Sequence, residues 1–490
     1  MDYISIYNNE KVCRKDIPTL DYMNFLELNT GLLSGEPHRH CVSFFGFEEG
    51  EKVILICCVA DDLSHRILVS STVVEKKTEY PSLTAVNHNF ENFEREIHES
   101  IGVEYSDHPW LKPYRKIEDY PFLRPESEEL HEVGVGPIHA GIIEPGHFRF
   151  ICNGEQIMHL EISLGYQHRG CEDLIKQKEG ILEKATLAEG IAGDTVVGHT
   201  SAFSNLWESL CGYERKPYLD FTRTLAMELE RVAVHTGDLS ALCGDIGYQL
   251  GSAVYGRLRT PIVNFMQEWC GNRLSKGLIR PAKLNYPFSD KLAERLRKAL
   301  IAYETDFNEM SSKLASLPSA LSRFEKTGVV TLEVMSEIGA VGMTARASGL
   351  KRDIRESHPF NLYGQMINHN SLLKRHGDVY SRVQIRREEI RQSLGYIREM
   401  LDNIPDFENP SETQLCPEAD SFLISLTEGW RGEICHCALT DKEGKLIKYK
   451  IKDPSHHNWM ALAQAVRNNE ISDFPVCNKS FNLSYCGHDL

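Results

Sequence analysis

The sequence lacks several features that would assign a chain of this length to a common functional class. No apolar run approaches the roughly 18 residues of a membrane-spanning helix, and the longest, residues 53–60, predicts a buried strand instead. No glycine-rich phosphate loop is present, so nothing in the sequence supports nucleotide binding. The first residues, which include Asp2, Glu10 and Lys11, lack the apolar core of a secretory signal. We therefore expect a cytoplasmic protein.

Positive charge is also scarce, because 54 Lys and Arg residues stand against 70 Asp and Glu residues, for a formal net charge of -16. This balance disfavours binding to nucleic acid or to anionic lipid and leaves proteins as the expected partners. Fourteen cysteines are present, but no two have the Cys-x-x-Cys spacing of a zinc, redox or iron-sulfur site. Most of them are therefore expected to be small buried apolar residues.

The chain of 490 residues exceeds the usual size of a single core, so two or more domains are expected. Residues 1–120 contain short β-type runs at 53–59 and 67–74 and an acidic helical stretch at 90–101. These patterns predict a small α+β domain at the start of the chain.

Residues 121–134 are polar and contain prolines, as in a linker between domains. Residues 135–490 form the predicted second domain, in which long segments have apolar residues at helical spacing. These segments are residues 217–236, 289–317 and 381–403. The predicted fold class is therefore α+β, with a small α+β domain followed by a mainly α-helical one.

Long strings in both domains resemble known proteins. The stretch FEREIHESIGVEYSDHPWLKPYR at residues 93–115 resembles the signature of the 30 kDa subunit of complex I, as it occurs fused in formate-hydrogenlyase-type hydrogenases. The second domain resembles the 49 kDa subunit of complex I, which is homologous to the nickel-iron hydrogenase large subunit. The matching strings follow the family's order: GPIHAGIIEPGHFRF from Gly136, LGYQHRGCE from Leu164, LAMELERVAVHTGDLSALCGDIG from Leu225, GAVGMTARASGLKRDIRESHPF from Gly339, GDVYSRVQIRREEIRQSL from Gly377 and EGWRGEICH from Glu428.

In the hydrogenase large subunit, two cysteine pairs hold nickel and iron, and the resemblance places other residues at all four positions. These residues are Ala192, Thr195, Ser484 and Gly487. Nickel and iron need soft thiolates, whereas Ala and Gly offer no side-chain donor and hydroxyl groups are poor ligands. Cys486 stands one position before the last of the four, and one displaced thiol cannot replace a set of four. The resemblance therefore implies no metal and no cofactor in this chain.

Other residues of the hydrogenase active site are retained in the resemblance. Glu144 stands where the large subunit has its proton-transferring glutamate, and Arg431 stands where it has the arginine above the iron. A carboxylate and a guanidinium that face one cavity can relay protons or bind a polar reactant. The alternative is a structural ion pair in an inactive site. His199 and His147 lie in the same motifs and are further cavity candidates, although a histidine beside a packed helix is more often structural.

The residues that contact quinone in complex I are not retained. The resemblance places Pro145 and Gly193 where that subunit has a histidine and a tyrosine, so support for quinone binding is weak. Trp430 replaces the proline that usually precedes the arginine, and its bulky ring is expected to fill part of the space that the metals would occupy.

The resemblance implies the large subunit of a membrane-associated, complex I-like oxidoreductase, peripheral on the inner face of the cell membrane, in which electron transfer is coupled to proton or ion movement. The expected partners are a small iron-sulfur subunit, a ferredoxin-like iron-sulfur subunit and membrane-arm subunits, and the iron-sulfur clusters are expected in those partners. One alternative is a non-catalytic scaffold or coupling subunit of such a complex. A hydrogenase with unusual metal ligands is the third possibility.

Overall fold

The computed structural model describes residues 2–141, 143–407 and 414–490 of the chain. Its strands are β1 Ile4–Ile6, β2 Val12–Cys13, β3 Thr19–Leu20, β4 Arg39–Glu49, β5 Lys52–Asp61, β6 Arg66–Glu75, β7 Glu79–Pro81, β8 Glu104–Ser106, β9 His131–Val135, β10 His147–Asn153, β11 Gln156–Ser163, β12 Ile279–Arg280, β13 Lys283–Leu284, β14 Ser421–Glu428, β15 Glu433–Thr440 and β16 Leu446–Lys452. Its helices are α1 Tyr22–Leu33, α2 Glu91–Ile101, α3 Cys171–Gln177, α4 Ile181–Ala188, α5 Val196–Leu210, α6 Pro217–Asp245, α7 Gln249–Cys270, α8 Asp290–Ser316, α9 Pro318–Phe324, α10 Leu332–Glu337, α11 Gly342–Ala347, α12 Ile354–Ser357, α13 Val379–Asp402, α14 Ser455–Ala465, α15 Phe474–Phe481 and α16 Tyr485–Asp489. The α+β fold class predicted from the sequence is confirmed.

The N-terminal region is built on an antiparallel meander of β4, β5 and β6, with β1 paired to β6. β5 has the sequence KVILICCVAD, lies between β4 and β6 and is buried along nearly its whole length. Because both faces of this strand are covered, its apolar residues run on without alternation. α1 and α2 pack on one face of the sheet, where Phe25, Phe44 and Phe93 belong to one apolar cluster.

The opposite face of the same sheet packs against the second region of the chain. Val42 and Phe45 belong to the same apolar cluster as residues of α6, α13 and β14. β2 pairs with β14, and His40 Nε2 lies 2.6 Å from the carboxylate of Glu433. The two regions therefore share one continuous core. The linker expected at residues 121–134 stays a prediction.

Four long helices dominate the second region, with α6 lying against α7 and α13, and α8 lying against α7. The predicted helical segments correspond to α6, α8 and α13. α6 begins with Pro217 at its first position. The side chains of Ser289 and Asp378 cap the first turns of α8 and α13 by accepting backbone N–H groups. Among the described residues, no helix combines the length and the apolar character that crossing a membrane requires.

Three further sheets lie in the described part of the second region: one of β9, β10 and β11, one of β12 and β13, and one of β2, β14, β15 and β16. The sequence patterns did not predict them. Every residue of β14 and β15 is buried, so no alternation of apolar and polar residues marks these strands. α5 packs on this sheet. The turn between β14 and β15 contains Trp430 and Arg431. It lies beside the loop before α5 and beside the residues that precede α16.

Candidate functional site

A four-residue turn between β14 and β15 positions the candidate arginine. Gly429 and Gly432 hydrogen-bond to each other across it, with N to O distances of 2.8 and 3.1 Å. Gly432 has a φ of 143°, and a Cβ there would lie 2.6 Å from the Cα of Gly342. Because only glycine fits at such a contact, the turn sits tightly on α11 and fixes Trp430 and Arg431 in place.

Arg431 is 4% exposed, and four hydrogen bonds hold its guanidinium. Two of them, each 2.6 Å long, join Nη1 and Nη2 to the carboxylate of Asp194. The others reach Thr195 Oγ1 at 3.0 Å and the carbonyl of Asn482 at 2.5 Å. Burial alone would lower the pKa of Arg431, but the Asp194 carboxylate raises it above its ordinary value. Arg431 is therefore a permanent positive charge beside the loop that precedes α5.

Glu144 lies on another side of the site, against the first turn of α16. Its Oε2 accepts hydrogen bonds from the backbone N–H groups of Tyr485 at 3.3 Å and Cys486 at 3.5 Å. The Cys486 thiol lies 3.5 Å from Ser484 Oγ. Burial and the Glu144 carboxylate raise the pKa of Cys486 to about 11, so the thiol stays protonated at neutral pH. In the described part of the chain, no hydrogen bond joins Glu144 to Arg431.

The first two positions aligned with metal ligands lie in the loop that ends at α5. Ala192 is fully buried and has no side-chain donor atom. Thr195 Oγ1 donates a hydrogen bond to Asp194 Oδ1 at 3.1 Å and accepts one from Arg431. The hydroxyl is thus committed to the ion pair of Asp194 and Arg431, which occupies this corner of the site.

The last two aligned positions lie at the start of α16. Ser484 Oγ caps this helix by accepting the N–H of Gly487 at 2.9 Å. A Cβ on Gly487 would lie 2.8 Å from the carboxyl carbon of Asp453 and 2.9 Å from Ser484 Oγ. A larger side chain at position 487 would therefore have to displace the Asp453 carboxylate. These residues do not fit a nickel-iron centre, and the described residues contain no group of three or more His, Cys, Asp and Glu side chains arranged to hold a metal ion.

His199 lies on α5 with none of its surface exposed, inside a chain of buried hydrogen bonds. Its Nε2 is 3.0 Å from Asp453 Oδ2, and its Nδ1 is 3.1 Å from Nε2 of His436. His436 Nδ1 is in turn 2.7 Å from the hydroxyl of Tyr449. Although burial opposes it, the hydrogen bond from His199 lowers the pKa of Asp453 to about 2. The Asp453 carboxylate, which lies close to Gly487, is thus hydrogen-bonded to His199, and His199 is paired with His436.

His147 is the first residue of β10, and it lies beside residue Phe122 of the predicted linker. Its ring packs on Phe122, with 4.7 Å between ring centroids, and burial together with Arg149 lowers the pKa of its imidazole. The structure thus places Glu144, His199 and Arg431 around α16 and the loop before α5, and it places His147 on the neighbouring strand. Surface clefts of about 340 and 390 Å³ lie elsewhere, and neither is lined by Glu144 or Arg431.

Three acidic residues of this site were missed by the sequence reasoning. Asp194 pairs with Arg431, and Asp453 pairs with His199. Glu230, on α6, accepts the N–H groups of Val197 and Gly198 at 2.8 and 3.3 Å. Burial, with a contribution from the charge of Asp194, raises the pKa of Glu230 to about 8. The sequence feature that could have indicated Asp194 is its position between Ala192 and Thr195, two of the positions aligned with metal ligands.

Comparison with known proteins identifies the chain's relatives. Residues 23–127 match the family described as respiratory-chain NADH dehydrogenase, 30 Kd subunit. Residues 245–421 match the family described as respiratory-chain NADH dehydrogenase, 49 Kd subunit. The chain contains domains of both families. They are fused in one polypeptide, as the two resemblances in the sequence predicted.

Curated relatives of this 30 kDa and 49 kDa fusion include hydrogenase-4 component G of Escherichia coli, 27% identical over 76% of this chain and 64% of that protein. Formate hydrogenlyase subunit 5 of the same organism is 28% identical, over 78% of this chain and 67% of that protein. The C/D fusion protein of the NADH-quinone oxidoreductase of Phocaeicola vulgatus is 25% identical, over 84% of this chain and 87% of that protein. The chain thus spans about two thirds of the length of the first two relatives.

A solved structure has the same fold. A chain of the membrane-bound sulfane sulfur reductase, an archaeal respiratory membrane complex, superposes with a TM-score of 0.69 at 21% identity. The match covers 75% of this chain and 100% of that one.

Proposed function

We propose that this chain is the large subunit of a membrane-associated, complex I-like oxidoreductase and that it works without a nickel-iron centre. The fused 30 kDa and 49 kDa domains support the first part, as do relatives named as hydrogenase and NADH-quinone oxidoreductase subunits. The observation that carries the second part is the state of the ligand positions. The hydroxyls of Thr195 and Ser484 are engaged in hydrogen bonds, and Gly487 offers no side-chain donor and is closely approached by the Asp453 carboxylate.

In this proposal the iron-sulfur clusters lie in partner subunits, and electron transfer is coupled to the movement of protons or another ion. Arg431 supplies a permanent positive charge that orients a polar or anionic reactant. Glu144, which is half-buried and accepts two long backbone hydrogen bonds, exchanges protons with the site. His199 does not reach the reactant and instead positions Asp453 beside α16.

The site faces the protein surface at the loop before α5, where Gly193 is exposed and Asp194 is half-exposed. We place the small iron-sulfur subunit on this face, because a cluster must come close to the site to exchange electrons with it. A ferredoxin-like iron-sulfur subunit and membrane-arm subunits complete the assembly. Through them the chain is held on the inner face of the cell membrane. Gentle detergent extraction of native membranes should yield the chain together with these subunits, not as a free monomer.

The metal content of the purified complex tests the central claim. Because no thiolate stands at the four ligand positions, we expect cluster iron but no stoichiometric nickel and no hydrogen evolution. Elemental analysis of the intact complex measures both metals in one sample, and a nickel-iron hydrogenase of the same family, purified in parallel, is the positive control. A value near one nickel per chain would overturn the proposal.

A second candidate, the non-catalytic scaffold or coupling subunit, is favoured by one observation. Arg431 is already held by four hydrogen bonds within the chain, as a structural arginine would be. The substitution Glu144→Gln distinguishes the two candidates, since it keeps the hydrogen-bond acceptor and removes the titratable proton. If the subunit is catalytic, Glu144→Gln slows turnover about 10²-fold or more and leaves the melting temperature unchanged. The control Glu155→Gln, in an exposed turn, changes neither the turnover rate nor the melting temperature. Full activity of Glu144→Gln supports the scaffold.

A further inference from the structure

A cluster of buried charges lies behind the turn that carries Arg431, and the site described above does not use it. Its members lie on α6, α11, α12, α13 and β14, together with Asp353, which caps the start of α12. Each has 2% or less of its surface exposed. The carboxyls are Glu228, Asp353, Glu389 and Glu428, and the guanidiniums are Arg231, Arg346 and Arg355.

Arg346 lies at the centre of this buried charge cluster. Its Nη1 is 2.8 Å from the carboxylate of Glu428 and 3.1 Å from that of Asp353. Its Nη2 is 2.5 Å from Glu389. Arg355 donates to both oxygens of Asp353, at 2.9 and 2.7 Å, and to Glu389 at 3.0 Å. Asp353 therefore contacts two guanidiniums, and Glu389 contacts these two and also Arg231, whereas Glu428 contacts one.

Arg231 connects the cluster to the turn of the candidate site. It donates hydrogen bonds to the backbone carbonyls of Glu428 at 2.8 Å and Gly429 at 3.1 Å. Its side chain also lies 3.5 Å from the carboxylate of Glu228 and 3.8 Å from that of Glu389. The same guanidinium thus contacts the buried carboxyls and the first residue of the turn that holds Arg431.

The charges of the cluster do not balance when every group is ionised, because four carboxyls face three guanidiniums. The other titratable groups that face them are His235 on Glu389, His369 on Asp353 and Tyr363 on Glu228. Burial lowers the pKa of both histidines, so neither supplies the missing positive charge.

Two charged groups that lie beside Glu428 and Glu389 are paired with residues outside the cluster. Glu433, opposite Glu428 in the hairpin, forms an ion pair with Lys452, and Arg386 pairs with Asp238 at 3.0 Å. A net charge buried without compensation is costly, and a carboxyl in that situation binds a proton instead. One of the four carboxyls is therefore protonated.

Glu428 is the carboxyl least supported as an anion. Besides Arg346, it accepts one backbone hydrogen bond, from the N–H of Ile354 at 3.1 Å. Burial and the adjacent Asp353 raise the pKa of Glu428 to about 7. Although burial opposes them, the arginines hold the pKa values of Asp353 and Glu389 well below their ordinary range.

A surface cleft of about 390 Å³ lies beside the cluster, and its lining includes Asp353, whose side chain has no exposed surface, together with His38, Asp62 and His65. We propose that Glu428 is a buried proton-binding site whose proton exchanges with solvent on the side of this cleft, where the Asp353 carboxylate shares Arg346 Nη1 with it. Because Glu428 directly precedes the turn, its protonation changes the electrostatic potential at Arg431 from the buried side. The proton site rests on the cluster's geometry and does not depend on the proposed function.

Infrared spectroscopy of the whole chain, as a function of pH, tests this proton site. We expect the difference between the wild type and Glu428→Gln to contain one carboxylic-acid C=O band, present at about pH 6 and lost by about pH 8.5. Glu96→Gln is the matched control, because Glu96 is buried but paired with two cations, Arg115 and Lys450. Its difference spectrum should lack such a band.

A second variant keeps the proposal testable if Glu428→Gln does not fold. Glu428→Asp leaves a carboxyl in the cluster, so it should shift the frequency of the band without removing it. Absence of any difference band for both variants would overturn the proposal. The same holds for a wild-type chain labelled with ¹³C-glutamate that shows no glutamic-acid band titrating near neutral pH, whichever variant folds.

Discussion

A single guanidinium organises the polar groups of the candidate site. Arg431 is ion-paired with Asp194, bonded to Thr195 and anchored on the carbonyl of Asn482. In the proposed function, the carboxylate of Asp194 provides the negative charge that the resemblance to the hydrogenase large subunit assigns to thiolates. At the scale of residues, a hydrogen-bonded ion pair of Asp194 and Arg431 lies beside the positions aligned with the metal ligands.

Glu230 gives this site a stability that depends on pH. Its pKa in the folded chain is about 8, well above the roughly 4.3 of an unfolded glutamate. Between these values the folded state binds more protons than the unfolded state, so the free energy of unfolding falls as pH rises and levels off above about pH 8. Glu230→Gln should reduce this fall by an amount on the order of a few kcal/mol.

Urea unfolding at about pH 5.5 and pH 8.5 measures the effect, because these two pH values bracket most of the titration. The control is Glu294→Gln, on an exposed face of α8, which should leave the difference between the two midpoints unchanged. An equal loss of stability with pH in the wild type and in Glu230→Gln would contradict the prediction.

At the scale of elements, the turn between β14 and β15 and the start of α11 depend on glycine. A Cβ on Gly432 would meet Gly342 Cα at 2.6 Å, and the φ of 143° is itself unfavourable for other residues. Gly432→Ala should destabilise the chain by about 2–3 kcal/mol or more and displace Arg431. Gly395→Ala, in α13 with nothing within 4 Å of the new Cβ, should stabilise it by about 0.5–1 kcal/mol. Chemical denaturation measures the free energy of unfolding of both variants, which should fall for Gly432→Ala and rise for Gly395→Ala.

The elements that could be predicted from the sequence are those with a one-sided or strongly apolar pattern. β5 and β6 were found from their apolar β-branched runs, and α8 from its helical spacing. β14 and β15 were missed because tertiary packing buries both of their faces, which removes the alternation on which strand prediction depends.

For the candidate site, the sequence supplied Glu144 and Arg431 only through a resemblance. The partner of Arg431 could not be predicted, because Asp194 lies more than two hundred residues away in the chain and its role is set by a turn packed on α11. The same holds for Glu428. The protonation proposed for Glu428 follows from counting charges across five elements and one capping residue, and no local pattern contains that count.

At the scale of the whole molecule, the two fused domains are joined by a buried ion pair and a buried hydrogen bond as well as by apolar packing. Lys450, which is 2% exposed, forms an ion pair with Glu96 at 2.5 Å, and His40 is hydrogen-bonded to Glu433. Residues 135–490 expressed alone would leave Lys450 without Glu96 and expose an apolar face. We expect this fragment to be insoluble, and we expect co-expression with residues 1–134 to restore a soluble complex.

Gel filtration and circular dichroism of the two preparations measure this dependence, with the uncut chain as the reference. A fragment of residues 135–490 that is monomeric and unfolds cooperatively without its partner would contradict it. The two domains would then be independent folding units that happen to be fused.

The close approach of Asp453 to Gly487 has a consequence for any attempt to build a thiolate metal site into this chain. A cysteine at position 487 would displace the Asp453 carboxylate and so disturb its hydrogen bond to His199, which is itself paired with His436. A cysteine at position 195 would remove the hydroxyl that accepts a hydrogen bond from Arg431. Each single substitution is therefore expected to disturb the site before a set of four thiolates is in place.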